Sequence, residues 1–358
     1  MHITLVAGAR PNFIKLAPLV WAAKKAKADG LDIGYTLVYT GTEDDPDIEP
    51  HLFADLAIGR PDVCLGVDCE SINELTGHVM SAFDDYALSH PTDVVVVCDD
   101  LASTMAVAIV TKKRGLLLAH LVAGTRSFDI TMPKEINRLV IDGLSDLLFT
   151  AGVNANSIAS REGAEYNKVY MVGNLLIDTL RHNYPKFVRP SCINDIDGDN
   201  YLVMTLNRKA LIADDDFLGS MVRTVEEHCG ETTVVAPLRE YARERIASLL
   251  SPASPIRIVD SLPYREFGYL TSHARGIITD SGNVAEEATF LTIPCLTLND
   301  YTEHIETVTI GSNTLVGSDT ALLASSLRSI LDSTYKHSSV PDRWDGRTAE
   351  RIIKVFMN

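Results

Sequence analysis

Residues 3–26 read ITLVAGARPNFIKLAPLVWAAKKA, and this stretch decides the class of fold. The apolar run Ile3–Ala7 is followed by a small-residue turn at 8–11, and a helical pattern then extends from Phe13 to Ala26. The run predicts a strand, the turn predicts its end, and the pattern after it predicts a helix. A strand that leads through a short turn into a helix is the unit from which parallel α/β sheets are built.

Short apolar runs alternate with amphipathic stretches along the rest of the chain, as expected for a parallel sheet covered by helices. Strands are predicted at Ile3–Ala7, Tyr35–Tyr39, Val94–Cys98, Leu116–Leu121, Leu147–Thr150, Val169–Val172, Tyr201–Thr205, Thr233–Ala236, Ile256–Val259, Gly276–Thr279 and Pro294–Leu298. Helices are predicted at Phe13–Ala26, Ser71–Ser89, Thr104–Lys113, Lys134–Leu144, Asp216–His228, Glu240–Leu249, Tyr264–Ser272 and Asn283–Phe290. The sequence therefore predicts the α/β class.

The length of 358 residues predicts two domains, at a typical size of about 150 residues each. The alternation is interrupted between residues 182 and 200 by Pro185, Pro190 and a polar stretch, which indicates a linker. We therefore predict a first domain over 1–182 and a second over 183–340. A last helical segment within 341–358 is expected to pack on the first domain.

The formal net charge of −16 argues against a nucleic-acid partner, because phosphate backbones require a basic surface. No window approaches the roughly 18 uninterrupted apolar residues that a membrane span requires, so no membrane partner is expected. The N-terminus lacks the pattern of a signal peptide, which predicts a cytoplasmic location. The six scattered cysteines contain no Cys-x-x-Cys pair, so we expect reduced thiols, with neither a metal ion nor a cofactor.

Two turns suit the binding of phosphate groups. The turn at 8–11 carries Arg10 and precedes a helix, whose free N–H groups and dipole attract anions. The stretch 279–283 is the equivalent turn of the second half, where Ser281 and Gly282 offer further donors, and an acidic residue after it suits ribose hydroxyls. The alternative for 8–11 is an ordinary turn with a surface arginine. The alternative for 279–283 is a capped helix whose acidic residues complement the helix dipole. One such turn in each domain favours phosphate binding.

The chain resembles the UDP-N-acetylglucosamine 2-epimerase family. The matching segments are 8–15, 123–127, 133–138, 142–149, 172–178, 280–288 and 293–298. The resemblance implies the GT-B fold, with two Rossmann-like domains and the active site in the cleft between them. It also implies a UDP-sugar as ligand and a homodimer as the assembly.

The resemblance assigns site residues by position. The catalytic residues it implies are Asp100 and Glu135. The substrate-binding residues it implies are Arg10, Lys15, Arg126, Arg208, Ser281, Gly282, Asn283, Glu287 and His304. His120 stands in an apolar strand, where a hydrogen-bonded structural histidine is expected.

The chain departs from the family pattern at the acid and base positions. Val122 stands where the family has a catalytic glutamate, and Lys134 replaces the first glutamate of a Pro-Glu-Glu motif. Asn207 replaces a histidine, and His304 replaces an arginine. Family members remove the C2 proton of the sugar and return one to the opposite face, which requires ionisable groups. Valine carries no exchangeable proton, and asparagine is neither an acid nor a base near neutral pH.

Three functions follow as hypotheses. The first is an enzyme that cleaves the anomeric C–O bond of a nucleotide-sugar, by transfer or hydrolysis, with Asp100 as base. The second is a true 2-epimerase whose acid and base are Asp100 with Glu135 or Glu43. The third is a non-catalytic protein that binds a nucleotide-sugar.

Overall fold

The computed structural model describes residues 1–46, 48, 50–163 and 168–358. The polypeptide forms two domains. The first comprises Met1–His182 together with Asp342–Asn358, and the second comprises Asn183–Pro341.

The first domain is built on a parallel sheet of seven strands. The strands are β1 His2–Ala7, β2 Gly34–Tyr39, β3 Val63–Cys64, β4 Val94–Cys98, β5 Leu117–Leu121, β6 Leu147–Thr150 and β7 Lys168–Met171. The helices are α1 Arg10–Ala28, α2 Pro50–Asp55, α3 Ile72–Ser89, α4 Ala102–Lys113, α5 Pro133–Leu144, α6 Val153–Glu162 and α7 Leu175–Asn183, the last ending at the domain boundary. The strand order is β3-β2-β1-β4-β5-β6-β7. The order reverses between β1 and β4, which is the switch point of a Rossmann-like sheet.

The second domain repeats this plan with six strands. The strands are β8 Tyr201–Thr205, β9 Thr233–Pro237, β10 Ile256–Val259, β11 Gly276–Thr279, β12 Cys295–Thr297 and β13 Asn313–Leu315. The helices are α8 Lys209–Ala213, α9 Asp215–His228, α10 Glu240–Ala247, α11 Tyr264–Ser272, α12 Gly282–Leu291, α13 Glu306–Thr309 and α14 Thr320–Leu331. The strand order is β10-β9-β8-β11-β12-β13, so the switch point lies between β8 and β11. The predicted α/β class with two parallel, Rossmann-like sheets is confirmed.

Helix α1 continues through Pro18, as the predicted helix Phe13–Ala26 does, although a proline inside a helix usually kinks or breaks it. Proline has no N–H, so the carbonyl of Ile14 loses its usual partner four residues later. The hydroxyl of Thr179 on α7 donates to this carbonyl at 2.5 Å, and both groups are buried. A tertiary hydrogen bond therefore replaces the missing bond of the helix.

The last helix, α15 (Thr348–Phe356), belongs to the first domain although it lies at the far end of the chain. Its apolar side chains Ile352, Ile353 and Phe356 are buried, and α15 packs against α1. The Phe356 ring meets Phe149 of β6 edge to face, with ring centroids 5.6 Å apart. Burial of this face, rather than helix propensity, holds α15 in place.

Among the described residues, no helix combines the length and the apolar composition needed to cross a membrane.

Candidate functional site

The switch point of the first sheet places two predicted segments side by side. Arg10 opens α1 just after β1, and Asp100 follows β4, the strand that pairs with β1. In sheets of this type, ligands bind at the carboxyl ends of the strands where the strand order reverses. Arg10 is half-buried and has no ion-pair partner in the part of the chain that the structure describes.

Asn12 and Lys15 of α1 hold the backbone after β1 and the side chain of Asp99 after β4. The Asn12 Oδ1 accepts from the N–H groups of Gly8 and Ala9 at 2.9 and 3.2 Å, and its Nδ2 donates to Asp99 at 2.9 Å. Lys15 Nζ lies 2.6 Å from Asp99 Oδ1. Burial acts to raise the pKa of Asp99, but the charge and hydrogen bond of Lys15 outweigh it and lower that pKa. Lys15 is itself buried, so in this structure it holds Asp99, and its contact with a substrate stays a prediction.

Asp100 is an ion-paired carboxylate. The buried Arg138 donates to its Oδ2 through Nε at 2.9 Å and approaches it through the Nη2 nitrogen at 2.6 Å. Lys134 Nζ lies 3.4 Å from Oδ1 and is 58% exposed. Asn137 donates to the Asp100 carbonyl at 2.8 Å. Helix α5 therefore fixes both the backbone and the side chain of Asp100, and Lys134 of the same helix contacts that side chain.

Glu135 organises a loop. Its side chain accepts from the Ser127 N–H at 2.8 Å, from the Ser127 hydroxyl at 2.9 Å and from the Phe128 N–H at 3.1 Å. Arg138 donates to the same carboxylate at 3.1 Å. Burial opposes ionisation, but these hydrogen bonds lower the pKa of Glu135. The residue is 2% exposed, so its geometry suits the positioning of residues 127 and 128, and the predicted catalytic role gains no support from it.

A second buried ionic group links β5 to α5 and α6. His120 Nδ1 lies 2.6 Å from Asp142, and His120 Nε2 lies 3.0 Å from the carbonyl oxygen of Asp99. Both ring nitrogens therefore face oxygen atoms of the protein. Arg126 donates to Asp142 at 2.7 Å and to Glu162 at 2.9 Å. His120 is thus the hydrogen-bonded structural histidine that the sequence predicts, and the guanidinium of Arg126 is turned to protein carboxylates.

Asp280 builds the corresponding edge of the second domain. Its Oδ2 accepts from the N–H groups of Asn207 and Arg208 at 2.7 and 2.6 Å, which ties the segment after β8 to the segment after β11. Burial raises the pKa of Asp280 although these two N–H groups act in the opposite direction. Asn299 donates to the Asp280 carbonyl at 3.1 Å.

The first turn of α12 presents donors at this edge. The Ser281 hydroxyl accepts from the Val284 N–H at 3.5 Å and so caps the helix. The N–H groups of Gly282 and Asn283 have no acceptor among the described residues. Arg208 stands 5.9 Å from the Tyr301 ring and forms no ion pair with a described residue. Unpaired N–H groups at a helix N-terminus and an unpaired guanidinium, both following strands at this edge of the sheet, are groups suited to binding an anion.

Glu287 and His304 complete the predicted set. Glu287 lies in the second turn of α12 and is 8% exposed. The buried His304 places its Nε2 3.6 Å from Glu286 Oε1. His304 thus contacts Glu286, which directly precedes Glu287, the residue predicted to bind the ribose.

Arg138 brings Asp100 and Glu135 together in the first domain. In the second domain, Asp280 binds the Arg208 backbone and directly precedes Ser281, Gly282 and Asn283. It places Lys15 and Arg126 in buried ion pairs of the first domain. Sequence reasoning missed Arg138 and Asp280 as the organisers of these two groups. Arg138 lies within α5 and Asp280 directly follows β11, both in segments that match the family, and a charged residue predicted to be buried was the signal that could have found them.

The comparisons with known proteins agree with one another. The profile of a family described as UDP-N-acetylglucosamine 2-epimerase matches residues 24–357. A protein of Methanocaldococcus jannaschii named UDP-N-acetylglucosamine 2-epimerase is 30% identical over 368 residues, which cover 99% of each chain. A protein of Pseudomonas aeruginosa named UDP-2,3-diacetamido-2,3-dideoxy-D-glucuronate 2-epimerase is 32% identical over 342 residues, 94% of each chain.

Among solved structures, the M. jannaschii UDP-GlcNAc 2-epimerase in complex with UDP-GlcNAc and UDP superimposes with a TM-score of 0.86 at 29% identity. The match covers 100% of this chain and 99% of the other. The chain therefore has the GT-B type of fold that the resemblance implies.

Proposed function

Because the chain belongs to the UDP-N-acetylglucosamine 2-epimerase family, we propose that it binds a UDP-sugar and cleaves the anomeric C–O bond. The bond between C1 and the phosphate oxygen breaks, and UDP leaves with the electron pair. The sugar passes to water or to an acceptor hydroxyl, whose proton Asp100 accepts.

The observation that carries this proposal is the set of unpaired donors at the carboxyl edge of the second sheet. Arg208 and the first N–H groups of α12 are brought to one place because β8 and β11 are neighbours. Asp280 accepts from the Arg208 N–H, so the backbone that carries the guanidinium is held in place. These groups suit the diphosphate of UDP and would stabilise the negative charge that develops on it as the bond breaks. Glu287 remains our proposal for the ribose hydroxyls.

The groups around Asp100 favour C–O cleavage over epimerisation. Removal of a C2 proton requires a strong base on one face of the sugar and an acid on the other. Glu135 is committed to four hydrogen bonds, and Val122 cannot transfer a proton. Departure of UDP needs charge stabilisation and at most one base, which Asp100 supplies.

A true 2-epimerase is the second candidate. The names of relatives at 30% and 32% identity favour it. In that case Asp100 with Glu135 or Glu43 would exchange the protons, and Glu135 would have to release the 127–128 backbone. A non-catalytic binding protein is the third hypothesis. Incubation with UDP-sugars in D₂O distinguishes it from the two enzymes.

The test is incubation of the protein in D₂O with UDP-N-acetylglucosamine and, separately, with UDP-2,3-diacetamido-2,3-dideoxy-D-glucuronate, followed by proton and phosphorus NMR. We expect release of UDP, faster when an acceptor sugar is added, without deuterium at C2. Deuterium at C2 would establish the epimerase instead. Binding of UDP with neither change would establish the non-catalytic hypothesis for these substrates.

Calorimetry tests the binding part by itself. The variant Arg208→Ala should bind UDP about tenfold more weakly or worse, because a charge-assisted contact to phosphate is lost. Arg223→Ala removes an arginine of the same domain that donates to Ser220, and it should leave the affinity unchanged. Equal affinities for the two variants would contradict the proposed diphosphate site.

The homodimer and the cytoplasmic location stay predictions. Light scattering tests the first and cell fractionation the second.

A further inference from the structure

A cluster of three potential metal ligands lies at the start of α3, outside the candidate site. Cys69 stands two residues before Ser71, the N-cap of α3, and Glu74 and His78 are one helical turn apart on the helix itself. The Ser71 hydroxyl accepts from the Glu74 N–H at 3.5 Å and so caps the helix. The Cys69 thiol lies at the helix face that carries the other two side chains.

The three ligand atoms are already close together. The Cys69 sulfur, a Glu74 carboxylate oxygen and a His78 ring nitrogen all lie within 4.8 Å of one another. The distance from His78 Nε2 to Glu74 Oε1 is 3.8 Å. A tetrahedral zinc ion holds such atoms about 3.4–3.6 Å apart, given bond lengths of about 2.0–2.3 Å. The remaining contraction can be met by rotation of the Glu74 and His78 side chains, which are 60% and 62% exposed.

The chemistry of the donors selects the class of metal. Thiolate, imidazole and carboxylate together suit zinc and similar divalent transition metals, whereas magnesium and calcium take oxygen ligands only. Three protein donors leave one tetrahedral position for water. Asp68 and Glu70 flank the cysteine in the sequence, and the surrounding negative charge favours a cation.

We propose that Cys69, Glu74 and His78 form a binding site for Zn²⁺ or a related divalent transition metal on the first domain. Binding replaces the thiol proton, which passes to the buffer, and no electron is transferred. The ion joins the segment before α3 to the first two turns of that helix, and so stabilises the entry into α3. This inference is independent of the proposed function, since it uses none of the residues assigned to UDP-sugar binding or cleavage.

The experiment is an anaerobic titration of the reduced, tag-free, full-length protein with Co²⁺, followed by displacement with Zn²⁺. We expect a thiolate-to-cobalt charge-transfer band in the near ultraviolet and visible bands of tetrahedral cobalt, which saturate at one equivalent. Zn²⁺ should abolish both. A wild-type protein that shows no thiolate band, or binds cobalt without one, would overturn the proposal.

Variants assign the ligands. Cys69→Ser should lose the charge-transfer band, and His78→Gln should weaken cobalt binding by about tenfold or more, because each lacks one of three donors. Cys64→Ser, which removes the nearby half-buried cysteine of β3, is the matched control and should bind as the wild type does. A band that persists in Cys69→Ser, or disappears in Cys64→Ser, would refute this ligand set. Circular dichroism shows whether each variant keeps its fold.

Discussion

At the residue scale, Asp100 is a half-buried carboxylate that contacts one buried and one exposed cation. Arg138 is almost fully buried behind the carboxylate, while Lys134 reaches it from solvent. An asparagine at this position keeps the shape and one acceptor, but it cannot take up a proton. The residue can therefore be tested with little change to its surroundings.

The variant Asp100→Asn should release UDP from a UDP-sugar about 10²- to 10⁴-fold more slowly, the usual contribution of a general base. Its affinity for UDP should stay unchanged in calorimetry. Lys134→Met is the control. Its ion pair is mostly exposed and contributes little, so activity should fall by less than about tenfold. Full activity in Asp100→Asn would contradict the assignment of the base.

Gly124 is a second position where one residue decides a local structure. Its φ is +76°, and a Cβ there would lie 2.1 Å from the carbonyl oxygen of Ala155. Its N–H also donates to Asp142, within the ionic group of His120. Both the left-handed backbone and the close approach of α6 require glycine.

We expect Gly124→Ala to lower the free energy of unfolding by about 3 kcal/mol or more, as strain and steric overlap add. Gly115→Ala isolates the strain, because Gly115 has a φ of +72° with nothing within 4 Å of its Cβ position. That control should lose only about 1 kcal/mol. Urea unfolding followed by tryptophan fluorescence measures both, and equal losses would show that the contact with Ala155 is unimportant.

At the element scale, Asp178 of α7 caps α15. Its carboxylate accepts from the N–H groups of Thr348 and Ala349 at 3.1 and 2.8 Å. Burial raises the pKa of Asp178 from 3.8 to about 6, although both N–H groups act to lower it. The cap is thus a carboxyl group that is protonated more readily in the folded chain than in the unfolded one.

This shift has a defined effect on stability. Between about pH 4 and pH 6 the folded protein binds the proton more tightly, so the contribution of Asp178 to stability falls as the pH rises through this window. The fall is about 3 kcal/mol for a shift of about two pKa units. Asp178→Asn should lack this component, whereas Asp84→Asn on α3, which removes a carboxylate whose pKa Arg114 lowers, should keep it. Urea unfolding at several pH values measures the difference, and an unchanged pH profile in Asp178→Asn would refute the role of this group.

At the scale of the whole molecule, the chain returns to the first domain after completing the second. Residues 342–358 belong to the first domain, and their helix α15 buries an apolar face there. Both tryptophans of the chain, Trp21 and Trp344, lie in this domain, so intrinsic tryptophan fluorescence reports on it alone.

Phe356→Ala should therefore shift the fluorescence-detected urea midpoint downwards, with a loss of about 3 kcal/mol from the lost contact with Phe149 and the cavity left behind. Lys354→Ala, on the exposed side of the same helix, should stay within about 0.5 kcal/mol of the wild type. Similar midpoints for both variants would mean that α15 contributes little to the first domain.

Elements with strong patterns were predictable and short or weakly patterned ones were not. Buried runs such as Val94–Cys98 and Gly276–Thr279 are found as strands at the predicted bounds. The edge strands β3 and β13 have two and three residues and carry no periodicity, so sequence reasoning missed them. Helix α6 was missed because its polar sequence shows little of an apolar stripe.

The sequence by itself determined the α/β class, the main strands and the family, because apolar periodicity and turn residues act locally. Only the tertiary structure decided which buried polar and charged groups meet. Arg138 reaches both Asp100 and Glu135, Asp280 joins the segments after β8 and β11, and the hydroxyl of Thr179 lets α1 pass through Pro18. The physical reason is that, apart from Arg138 and Glu135 on the same helix, these partners lie far apart in sequence. Burial makes their pairing obligatory, but only the packing of the elements selects the partner.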